Sequence, residues 1–145
     1  MGKVSLVLAL VTVGLAAGCG GSGGDENEGG NEPTHAACSG SALSETLRLP
    51  ASWPQIETDK MVYTEQETAG PTEVVEGYFN GSVQDAHDEF QHELEATGFT
   101  ITFEEVEEND SEVAWEGEGR TGIVAIRDEC GDSNKMYIRI TNRAE

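Results

Sequence analysis

The chain has 145 residues, with 28 acidic against 8 basic side chains and a formal charge of −20. Nucleic acid binding needs Lys and Arg gathered to neutralise phosphates, and no basic cluster occurs, so no nucleic-acid partner is expected. Three cysteines without a CxxC pair give no basis for thioredoxin-like redox chemistry.

The first element is an apolar leader. Lys3 precedes the run 4–17, and Ala17-Gly18 place small side chains directly before Cys19. Fourteen residues are too few to cross a bilayer, which takes about 20. Leu15-Ala16-Ala17-Gly18-Cys19 resembles the lipobox of bacterial lipoproteins. That resemblance implies removal of 1–18 as a signal peptide and a diacylglycerol on Cys19. The protein is then exported and held by lipid at the extracytoplasmic face of a membrane, with the bilayer as its partner through Cys19. Each buried methylene contributes about 0.8 kcal/mol, so two acyl chains anchor stably where one is marginal. Ala16 departs from the leucine most often found three places before the cysteine, and Leu15 stands one place further ahead. Read without the box, the same leader is an ordinary secretory signal.

If Cys19 carries lipid, Cys38 and Cys130 remain as a pair in an oxidising compartment, and a disulfide is expected between them. Residues 19–37 are expected to form the lipidated end and a tether. From Gly20 to Pro33 there is no apolar side chain to bury, so the stretch cannot offset the entropy of ordering itself. Fourteen residues of such a coil reach about 20 Å, and the acids in it are repelled by an anionic surface. Residues 38–145 have the length of a single domain with one core.

Within that domain, 42–54 reads as irregular chain packed across a sheet through Leu47, Leu49 and Trp53. Strands are expected at 61–66 and 72–80, joined by Ala69-Gly70-Pro71. Ser82 caps a helix predicted over 83–97, with Asp85 three residues on and Gly98 after its end. Its apolar stripe is Val83, Ala86, Phe90 and Leu94. Four strands follow. Phe99, Ile101 and Phe103 are expected on one face, Val113 and Trp115 on another strand's face, and 123–126 as a more fully buried run. Met136, Ile138 and Ile140 then alternate with Tyr137 and Arg139. Hairpin turns are expected at 108–111 and 117–120, and Cys130 in the loop before the last strand. The order β-β-α-β-β-β-β predicts an α+β fold, an antiparallel sheet of five to six strands with one amphipathic helix on one face.

The Leu49-Pro50 and Trp53-Pro54 steps, two strands, the helix ending in Thr97-Gly98-Phe99 and the strands after it resemble small bacterial lipoproteins of unassigned function. The pattern implies fold and location and carries no chemistry.

No catalytic motif emerges. Gly117-Glu118-Gly119-Arg120-Thr121-Gly122 matches GxGxxG, but a strand-like run follows where a dinucleotide site needs a helix, so a hairpin turn is expected. His87 and His92 are five apart, not the four that aligns a zinc pair, and both are expected in solvent. Asp128, Asp132 and Asn134 fail as an EF-hand because Cys130, Ser133 and Arg139 occupy positions that need a ligand, a glycine and a chelating Glu. The acidic run 104–110 reads as the solvated end of a strand and its turn. No catalytic residue, metal ligand or cofactor is therefore assigned.

The functional expectation is a non-catalytic binding or interaction module of the cell envelope, with an envelope protein as partner. Trp115, Tyr78 and Tyr137 are its candidate contacts if they face outward, and Trp115 is expected in the core. The alternative is a cation-binding surface domain that takes calcium weakly. A hydrolase built on an unrecognised carboxylate pair is the third reading, and requires a deep pocket.

Overall fold

The computed structural model describes residues 34–145; the leader, Cys19 and the tether up to residue 33 lie outside the described residues. Six strands form one antiparallel sheet: β1 (Met61–Ala69), β2 (Thr72–Asn80), β3 (Thr100–Val106), β4 (Asp110–Gly117), β5 (Arg120–Asp132) and β6 (Lys135–Ala144). Among the described residues a single α-helix, α1 (Val83–Ala96), stands between β2 and β3, and a short 3₁₀ turn, Ala36–Ser39, precedes the sheet. The α+β expectation and its element order are met.

The strand order is β1-β2-β6-β5-β4-β3. Strands β3 to β6 form a meander whose last strand pairs antiparallel with β2, which closes the sheet around β6. Helix α1 starts as expected. Ser82 Oγ accepts from the Asp85 amide and the Asp85 carboxylate accepts from the Ser82 amide, so two N-terminal amides that lack helical partners are satisfied. After Thr97 the chain turns through Gly98 at φ 94°, a conformation that favours glycine.

Val83, Ala86, Phe90 and Leu94 are buried against the sheet, and α1 lies over β3, β4 and β5. The remainder of that face is covered by irregular chain. Leu43 donates its amide to Tyr63, Asn142 donates to the Arg48 carbonyl, and Trp53 packs edge-on against Trp115 and Phe99. The core thus lies on the helix side, built from Val113, Trp115, Val124, Ile126, Ile138 and Ile140 among others. Gly122 belongs to this packing: a methyl there would run into the Thr141 carbonyl and the Trp115 ring.

Three local expectations are corrected and one is met. Phe103 does not share a face with Phe99, because the β3–β4 register shifts between Ile101 and Phe103 and reverses the alternation, leaving Phe103 51 % exposed. Residues 123–126 alternate rather than bury throughout; Val124 and Ile126 enter the core while Ile123 is 40 % exposed, because only one face of β5 carries the helix. Cys130 lies inside β5, whose pairing extends to Asp132, and not in a loop. Glu118 and Gly119 both have positive φ, so the GxGxxG match is a tight β4–β5 hairpin turn, as expected.

The disulfide joins Cys38 to Cys130 with Cα atoms 5.4 Å apart. It pins the 3₁₀ turn to the sheet face opposite the helix, in a second small cluster with Ala37 and Tyr137. Packing begins slightly before Cys38, since His35 stacks on the Tyr137 ring at 3.7 Å between centroids.

Candidate functional site

A strand's side chains alternate between faces, and the rows of β2, β6, β5 and β4 that miss the core meet on the far side of the sheet. There the registers set Arg139 opposite Glu76 and Ala125, Thr141 opposite Val74 and Ile123, and Tyr137 opposite Tyr78 and Arg127. At one end the disulfide turn covers this face. The rest is open, as two shallow depressions of about 550 and 400 Å³ that share Ile123, Arg139 and Thr141. They form one trough across β6 and β5, the larger part lined by two arginines, Arg139 and Arg143, and no carboxylate.

Its charges are partly paired. Arg127 donates to Glu112 at 2.7 Å and lies 3.8 Å from Asp110, and Arg139 donates to Glu76 at 3.2 Å. Tyr137 also donates to Glu76, at 2.8 Å; burial and this bond hold its phenol well above the usual range. Arg143 is exposed and joins no ion pair among the described residues. At the covered end, the Lys135 ammonium sits 4.2 Å over the Tyr78 ring and donates to the Cys38 carbonyl.

The sequence candidates distribute as follows. Cys38 and Cys130 meet; Cys19 lies outside the described residues. Trp115 is fully buried on the helix side, as expected. Tyr78 and Tyr137 do lie on the far face, but they are absorbed into the cluster beneath the disulfide turn instead of standing free. His92 is exposed, whereas His87 is only 4 % exposed, against expectation. The reason is helical spacing: position 87 lies four residues after Val83, three before Phe90 and seven before Leu94, inside the apolar stripe.

His87 reaches Ser111, with Nδ1 2.7 Å from Oγ, and its Nε2 lies 3.9 Å from the Glu104 carboxylate. The residue types are those of a nucleophile, a base and an acid, but Ser111 is 0 % exposed, so no substrate carbonyl can approach it in this conformation. The pair satisfies two buried polar groups. Asp132 accepts from the Asn134 amide in the β5–β6 turn, and among the described residues no three His, Cys, Asp or Glu side chains gather to hold a metal.

Sequence reasoning named none of the arginines of the far face as site residues. The signal was present in the alternation Arg139-Ile140-Thr141-Asn142-Arg143 and Ile123-Val124-Ala125-Ile126-Arg127, which places every second residue on one side once the buried partners are known. The fold and this face define a small α+β domain with one covered and one half-open sheet face. No protein-family model, curated protein or solved structure matches the chain.

Proposed function

We propose that the chain is an exported, lipid-anchored and non-catalytic binding module of the cell envelope, which meets its partner through the open half of the sheet face. The lipobox-like segment ending in Cys19 supports the location. The observation that carries the binding role is the trough itself, where Ile123 is 40 % exposed beside Ala125 and a row of arginines on a strongly acidic protein. An antiparallel sheet with one solvated face ordinarily places polar residues there. A branched aliphatic side chain that shares its trough with Arg127, Arg139 and Arg143 has instead the composition of an interface centre, apolar with Arg enriched nearby.

Two measurements test this reading. In a bacterial host, intact mass should show cleavage before Cys19 and an added diacylglycerol, and Cys19→Ser should move the protein from the membrane pellet to the soluble fraction. A photo-crosslinking amino acid at position 123 should form discrete adducts in the envelope that the same group at position 92, on the exposed side of α1, does not. Retention of the leader with no lipid removes the anchor, and equal adducts at both positions remove the docking face.

A further inference from the structure

Building on the open face as a docking surface, we propose that its partner presents an acidic polypeptide in extended conformation along the row Arg143, Arg139, Arg127. The first ground is local charge. The chain has 8 basic residues against 28 acidic ones, yet three of the eight line the open part of this face, where they balance Glu76, Glu112 and Glu129, and the larger depression has two arginines and no carboxylate. A guanidinium offers a planar fork of donors that matches a carboxylate, so such a row selects oxyanions over neutral surfaces.

The second ground is spacing. Arg143 and Arg139 are four residues apart on β6, which at about 3.3 Å per residue separates them by roughly 13 Å. Arg139 pairs with Ala125, and Arg127 lies two residues further along β5, a diagonal of about 7–8 Å. A single small anion can engage only one member of a row that long. An extended chain places alternate side chains on one side about 7 Å apart, so acids two and four residues apart fall into step with the arginines. Ile123 and Ala125 lie between, a floor for the partner's small apolar side chains. The internal pairs do not block this use, because Arg127 and Arg139 are partly exposed and such pairs exchange partners at little cost.

The test uses the full chain in detergent and a fluorescein-labelled twelve-residue peptide of alternating Glu and Ala, read by fluorescence anisotropy. Saturable binding is expected, at least tenfold tighter than to the matching Gln-Ala peptide. Joint Arg139→Gln and Arg143→Glu substitution should weaken it tenfold or more, with an unchanged thermal midpoint, while Lys60→Gln on the helix side leaves it unaltered. Equal affinity for both peptides, or no loss in the double variant, defeats the proposal. If both peptides bind equally and Ile123→Glu abolishes both, the docking face stands and only the acidic partner class is lost. Self-association that Arg143→Glu disrupts would assign the face to a second copy instead. Peptide binding seen only after Asp25, Glu26, Glu28 and Glu32 are changed to Gln would assign it to the chain's own acidic segment; either result overturns a separate acidic partner.

Discussion

Tyr63 shows how one buried group sets a pH limit. Its hydroxyl accepts a hydrogen bond from Trp53 Nε1 at 3.3 Å, and burial pushes its pKa up to about 12 from an ordinary 10, the Trp53 bond opposing weakly. The folded state therefore holds the proton more tightly than the unfolded chain. Its contribution is complete below pH 10 and is lost as the pH rises from 10 to about 12, a loss of about 2–3 kcal/mol. Urea titrations at pH 9 and pH 11.5 should show that fall, and Tyr63→Phe should reduce it; Tyr137, shifted in the same direction, retains part of it. Gly122 carries a steric prediction. Gly122→Ala should cost about 3 kcal/mol, since both the Thr141 carbonyl and the Trp115 ring must yield. A loss under about 1 kcal/mol in chemical denaturation would show that β6 or the indole moves aside freely. Neither contact was legible in the sequence, because Gly122 looked like the last glycine of a turn motif and its neighbour Thr141 is nineteen residues away. His87 was legible in principle, since counting from Val83, Phe90 and Leu94 puts it on the buried side.

Elements read well where local chemistry specifies them. The Ser82 and Asp85 capping box, the apolar stripe of α1 and the positive-φ hairpin at Glu118-Gly119 were all written in short-range pattern, and all three appear as expected. Ser82→Ala should cost about 1 kcal/mol, measured as a shift in the urea midpoint without change in slope. An unchanged midpoint would mean that packing of the helix face alone holds the first turn. Strand boundaries were harder. The bulge between Ile101 and Phe103 reverses which residues point inward, and a period-two pattern cannot reveal a one-residue insertion in advance. Likewise 123–126 looked like a continuous buried run because Ile, Val, Ala and Ile are all apolar; which side is covered depends on where α1 lands.

At the scale of the whole molecule, the Cys38–Cys130 disulfide ties the start of the domain to β5 across 92 residues. Closing so long a loop restricts the unfolded chain, so joint replacement of both cysteines by alanine should destabilise by about 3–5 kcal/mol in thermal or urea unfolding. A loss below about 1 kcal/mol would mean that the 3₁₀ turn holds its place through Ala37, His35 and Tyr137 alone. The sequence by itself determined the elements, their order and the cysteine pairing, because these depend on local pattern and parity. Only the tertiary structure decided the strand order, the burial of His87 against Ser111, and the gathering of Arg127, Arg139 and Arg143 around Ile123. Those depend on which strands pair and which sheet face the one helix covers, and both are settled by burying apolar surface between residues far apart in the chain.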